Sequence, residues 1–93
     1  MVKEIFCIVS GRVQGVFFRN FVCDIASALN LVGTVKNLTD GTVEAVAQGE
    51  EKALDEFIEK LKKGPMLAKV EAVTLKWREP SESFFDFKII GDF

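Results

Sequence analysis

Apolar residues follow different periods along the chain, and the changes of period mark its elements. Lys3–Ser10 is rich in Ile, Phe and Val and apolar on both sides, the pattern of a central strand. From Arg19 or Asn20 to about Asn30 the period turns helical. Phe18, Val22, Ile25 and Leu29 fall on one stripe, joined by Phe21, Ala26 and Ala28. Asn30 tolerates the left-handed conformation that often closes a helix. Leu31–Leu38 reads as a second strand, Thr39-Asp40-Gly41 as a hairpin turn and Thr42–Gln48 as a third strand. In that third strand Val43, Ala45 and Ala47 alternate with Glu44, Val46 and Gln48, so one face is drier. Gly49-Glu50-Glu51 opens a second helix whose stripe is Leu54, Phe57, Ile58 and Leu61. Lysines lie near its end, and Gly64-Pro65 stops it. After the loop Met66-Leu67-Ala68, Val70–Arg78 is a fourth strand, with Val73, Leu75 and Trp77 on one face. Glu79-Pro80-Ser81-Glu82-Ser83 is a break, and Phe84–Ile90 a final strand.

This order predicts an α+β fold: a ferredoxin-like βαββαβ two-layer sandwich with an additional C-terminal strand. Right-handed crossovers place both helices on one face of a mainly antiparallel sheet. There is no tandem repeat, linker or low-complexity segment, so residues 1–93 are expected to form a single domain.

Composition narrows the function. With 93 residues, 48% of them hydrophobic and nine Phe, the chain can fill a core. No apolar run approaches the roughly 20 residues needed to span a bilayer. Met1-Val2-Lys3-Glu4 puts an acid where a signal peptide is basic, and a cytoplasmic monomer with no membrane partner is expected. A net charge of −2 and a pI of about 5.1 weigh against a nucleic-acid partner. Cys7 and Cys23 lack metal-ligand spacing and read as small buried or half-buried thiols. Histidine and tyrosine are absent. Any chemistry must therefore use carboxylates, lysines, arginines, amides and backbone groups, and no metal or cofactor is expected.

The stretch Ser10–Asn20 stands out. It leaves the first strand, carries Gly11 and Gly15, and places Arg19 at a helix start, where a cation is disfavoured by a few tenths to about 1 kcal/mol. Gly15 can adopt positive φ, N–H groups from Gly15 to Arg19 can converge on an oxyanion, and Arg19 can donate two parallel hydrogen bonds. The same residues also suit an ordinary strand-to-helix turn with an exposed arginine, since the Gly-Lys-Ser/Thr ending of a P-loop is missing. Asn37, before the hairpin, equally suits a residue capping its own turn.

Val9–Arg19 reads V-S-G-R-V-Q-G-V-F-F-R. It resembles the signature of the acylphosphatases, small enzymes that hydrolyse carboxyl-phosphate mixed anhydrides. Gly33-Thr34-Val35-Lys36-Asn37, followed by Gly41, Val43 and Gly49, resembles their second signature. The element order agrees along nearly the whole chain. Thr34 departs from the pattern, standing where the family usually has an aromatic residue, which bears on packing beside the site. The resemblance implies that Arg19 binds phosphate, that the backbone of Gly15, Val16, Phe17 and Phe18 cradles it, and that Asn37 holds the attacking water. Gln14 and Phe17 lie within the motif, and neither side chain is assigned a chemical role. The resemblance also accounts for the missing histidine. The carboxylate of an acyl phosphate leaves without a proton, and a phosphate oxygen can take the proton of the water. Acetyl phosphate, carbamoyl phosphate and 1,3-bisphosphoglycerate all present the same group to such a loop. One rival is a non-catalytic anion-binding or regulatory module of the same fold, such as the parts of larger carbamoyl-transferring maturation proteins that the family resembles. The end of the chain at Phe93 favours the free-standing enzyme. The other rival, an RNA-binding module, needs aromatics on both central strands. Phe6 offers one, and Thr42–Gln48 offers none.

Overall fold

Seven elements follow one another in the computed structural model, which describes residues 1–80 and 82–91. They are β1 (Val2–Arg12), α1 (Phe18–Ala28), β2 (Val32–Asn37), β3 (Val43–Glu50), α2 (Glu51–Lys63), β4 (Lys69–Arg78) and β5 (Phe87–Ile89). Ser81, within the expected break, and Asp92 and Phe93 lie outside the described residues. The strands form one sheet in the order β4-β1-β3-β2-β5. The first four are antiparallel neighbours, the ferredoxin-like arrangement, and β5 joins β2 in parallel. β1 lies between β4 and β3, the central position expected of it.

Strand alternation sends Ile5, Cys7 and Val9 of β1 to the same face as Ala47, Ala45 and Val43 of β3. The small alanines leave room for large helix residues. Phe18 and Val22 from α1, and Leu54, Phe57 and Leu61 from α2, are buried there in one core with the strand residues. Both helices therefore cover one face. Phe87 of β5 extends the same core, its ring centroid 6.1 Å from that of Phe57.

The opposite face carries a polar cluster. The Glu4 carboxylate is fully buried, accepting hydrogen bonds from Arg78 Nε and, at 2.8 Å, from Gln48 Nε2. Gln48 Nε2 also donates to the Glu82 carbonyl at 2.6 Å, tying the β4–β5 connection to this face. The Arg78 guanidinium lies 5.2 Å from the centre of the Phe6 ring. A buried carboxylate is tolerated here because a cation and an amide both satisfy it.

Several boundaries differ from expectation. The last strand covers Phe87–Ile89 and not Phe84–Ile90. The chain must first travel from the β4 edge to the opposite edge, so Phe84 and the nearly fully exposed Phe85 belong to the crossing. Gly33 N–H donates to the Asp86 carbonyl at 2.8 Å and Ile90 N–H to the Val35 carbonyl at 2.9 Å, fixing the start and end of the pairing. Gly49 and Glu50 finish β3, paired with Lys3 and Val2 of β1, and Glu50 is also the residue that caps the start of α2. β1 continues through Gly11 and Arg12. Its register against β4 shifts after Ser10: Ser10 faces Ala72 and Gly11 faces Val70, leaving Glu71 as an extra residue. Gly11 thus serves a bulge and not the turn. Its φ is 121°, and a Cβ there would lie 2.1 Å from the Lys69 carbonyl oxygen. α1 starts at Phe18 and ends at Ala28, with Asn30 left-handed at φ 59° as expected of it. Among the described residues no helix is long and apolar enough to cross a membrane.

Candidate active site

The bulged end of β1 feeds the loop Val13–Phe17, which delivers the chain into α1. Gly15 has φ 73°, and a Cβ there would meet nothing within 4 Å, so the backbone angle and not space calls for glycine. Phe17 is left-handed as well, at φ 60° and ψ 25°. For a bulky residue this costs about 1–2 kcal/mol. Left-handed turns beside a helix N-terminus leave successive N–H groups free to form a concavity for an anion. The two phenylalanines then part. Phe18 is 1% exposed and packs against the Phe21 ring at 5.8 Å, whereas Phe17 is 76% exposed. Phe17 fills the helix-capping position without a side-chain cap.

The β2–β3 hairpin forms the other wall. Leu38 N–H donates to the Thr42 carbonyl at 2.9 Å, and Gly41 N–H to the Leu38 carbonyl at 3.2 Å. Asp40 Oδ1 accepts from the Thr42 hydroxyl at 2.6 Å and the Thr42 N–H at 3.0 Å. These bonds hold the Asp40 carboxyl below its ordinary pKa, the hydroxyl contributing most. Gln14 joins the loop to this hairpin. Its Nε2 donates to the Leu38 carbonyl at 2.8 Å and the Thr42 carbonyl at 2.9 Å, using both amide hydrogens.

Between these walls lies a depression of about 290 Å³, lined by Val13, Gly15, Phe17, Phe18, Arg19, Asn20 and Asn37. Five residues expected at the site, namely Gly15, Phe17, Phe18, Arg19 and Asn37, thus meet from two separate segments. Val16 is in the loop but half-buried against the core and not in the lining, so only its backbone could take part. Thr34 is also outside the lining, and its register opposite Val46 puts it on the polar face of the sheet. Its departure from the family pattern therefore bears on that face and not on the depression. Asn37 Oδ1 is the one buried side-chain polar atom without a hydrogen-bond partner among the described residues. It belongs to a residue that lines the depression, and a buried acceptor of this kind calls for an explanation. Among the described residues no carboxylate lines the depression.

Sequence reasoning gave no role to Gln14, Val13 and Asn20. For Gln14 the available signal was a long amide beside the turn glycine Gly15, with donors to spare for another segment's carbonyls. The cysteines are poor nucleophiles: burial pushes the Cys7 thiol up to about 12. Burial first, then the carboxylates of Asp24 and Asp86, raise that of Cys23. Among the described residues no three His, Cys, Asp or Glu side chains group as metal ligands.

Residues 5–89 match the family model of the acylphosphatases. An acylphosphatase of Methanococcoides burtonii is 46% identical over 81 residues, which cover 87% of this chain and 84% of that protein. The crystal structure of acylphosphatase from Bacillus subtilis superposes with a TM-score of 0.91 at 41% identity, covering 98% of this chain and all of that one. A crystal structure of T. kodakarensis HypF matches at 39% identity with a TM-score of 0.85, over 98% of this chain but 12% of that larger one.

Proposed function

The chain belongs to the acylphosphatase family, and on that premise we propose how it hydrolyses acyl phosphates to carboxylate and inorganic phosphate: Arg19 and the Gly15–Phe18 backbone hold the phosphoryl group, and Asn37 orients the attacking water. The observation that carries this division of labour is the meeting of Arg19 and Asn37, from two separate segments, in the lining of one depression. Phosphoryl transfer spreads charge over the three equatorial oxygens, and its catalysis is largely positioning and charge stabilisation. The Arg19 guanidinium and the loop N–H groups supply both. Asn37 Oδ1 accepts one O–H of the water and leaves an oxygen lone pair directed at phosphorus. The water O–P bond forms as the P–O bond to the acyl group breaks. The electron pair leaves with the carboxylate, whose low pKa spares it a proton, and the proton of the water ends on a phosphate oxygen.

The test is hydrolysis of benzoyl phosphate with and without a chelator, beside a phosphomonoester control. Turnover of the acyl phosphate, unaffected by chelator and inhibited competitively by inorganic phosphate, is the expected result. Hydrolysis of the monoester alone overturns the proposal. The second reading is a non-catalytic anion-binding or regulatory module of the same fold, and the match to 12% of a HypF chain shows this fold as part of a larger protein. Phosphate binding with no turnover would select it.

On this proposal Gln14 is a positioning residue that holds the loop in register with the hairpin bearing Asn37. Gln14→Ala is expected to lose about 1–2 kcal/mol in urea unfolding, the net worth of two hydrogen bonds. It is also expected to lose about tenfold in kcat, since small misplacements of reacting groups are costly. Assays well below the unfolding transition separate the two effects. A stability loss with unchanged kcat would leave Gln14 a structural staple only.

A further inference from the structure

We propose that the Phe17 ring forms the acyl-side wall of the depression and sets a preference for acyl phosphates whose acyl group is flat and apolar, above all aromatic. This rests on the depression being the acyl-phosphate site and adds what the substrate carries beyond its phosphate. Phe17 runs against every local preference of its position. Left-handed backbone favours Gly or Asn, and a helix-capping position favours Ser, Thr, Asn, Asp or Gly. An aromatic ring left 76% exposed gains little from folding. Phe18 already supplies the aromatic anchor that the core needs beneath the loop. Phe17 nonetheless lines the depression, together with apolar Val13 and Phe18 and polar Arg19, Asn20 and Asn37.

The space agrees with this. The 290 Å³ of the depression is roughly ten times the share of one liquid water, about 30 Å³, and exceeds what a phosphate group fills. Among the described residues Arg19 is the one ionisable side chain in the lining. Once it holds the phosphate, no second cation in the lining remains for a carboxylate or phosphate on the acyl portion. The exposed ring face carries the negative pole of its quadrupole, which repels an anionic acyl group and accepts an aromatic ring edge-on or offset. Charged acyl groups therefore find no partner here, and small polar ones fill little of the apolar wall.

The experiment compares the native chain with Phe17→Asn and Phe17→Tyr through the ratio of kcat/KM for benzoyl phosphate to that for acetyl phosphate. Both substrates carry the same phosphate, so any disturbance of the cradle cancels in the ratio. Asn suits a left-handed helix-capping position, so Phe17→Asn is expected to fold. The ratio is expected to fall about tenfold in Phe17→Asn, the scale of discrimination that apolar contacts provide, and to be kept in Phe17→Tyr. An unchanged ratio in Phe17→Asn, or an equal fall in Phe17→Tyr, overturns the inference while the acyl-phosphatase function stands. A native chain inactive on both compounds overturns the inference and that function together.

Discussion

Arg19→Ala is expected to lose at least about 10³-fold in kcat/KM on benzoyl phosphate, the scale on which an arginine serves phosphoryl transfer. Inorganic phosphate, the product, should inhibit the variant about 10- to 100-fold more weakly, as befits charge-assisted hydrogen bonds worth about 1.5–3 kcal/mol. Arg19→Lys should recover only part of either loss, because an ammonium is a point charge and cannot match two phosphate oxygens in parallel. Steady-state kinetics and phosphate titration calorimetry measure the two effects separately. An alanine variant with near-native phosphate affinity would remove Arg19 from the phosphate site.

Asn37→Ala is expected to behave differently. Turnover should fall by roughly 10²- to 10³-fold, the usual loss when one pre-placed polar group is deleted from an active site. Phosphate inhibition should stay within about twofold of native, since the side chain is assigned to the water and not to the phosphate. The stability effect is equally diagnostic. Asn37 Oδ1 accepts no hydrogen bond from another described residue, so its removal breaks none within the fold. The midpoint of urea unfolding should therefore hold. Equal loss of phosphate affinity in the Arg19 and Asn37 variants would refute the division of labour, and a marked loss of stability in Asn37→Ala would make that residue structural.

The sequence disclosed those features in which local pattern and tertiary packing agree. The stripe Leu54, Phe57, Ile58 and Leu61 is buried as its spacing predicts, and the strand apolar on both sides lies between two others. Pattern misled where packing changed its meaning. Phe85, Phe87 and Ile89 alternate like a strand, yet Phe85 belongs to a crossing that the topology requires. Gly49 reads as part of a helix opening and is instead a strand residue paired with Lys3. At the site, spacing alone left Arg19 and Asn37 ambiguous, and two family signatures together selected them. Gln14 escaped because its acceptors are backbone carbonyls 24 and 28 residues away, which no side-chain pattern announces. Phe17 and Phe18 look alike in the sequence, and only the left-handed backbone of Phe17 sends one outward and leaves the other in the core.

The bulge at Gly11 has a consequence for the order of folding. It is a shift of register against β4, so it does not exist until Lys69–Arg78 has docked on a strand made near the beginning of synthesis. Loops that long are closed at an entropic cost repaid only afterwards, the condition that slows proteins of high contact order. A chain still emerging from the ribosome can form the β2–β3 hairpin and both helices early. It cannot aim the glycine loop until the fourth strand arrives, so phosphate should bind to no folding intermediate that lacks β4. Phosphate-binding competence then arises late, as a property of the nearly complete chain.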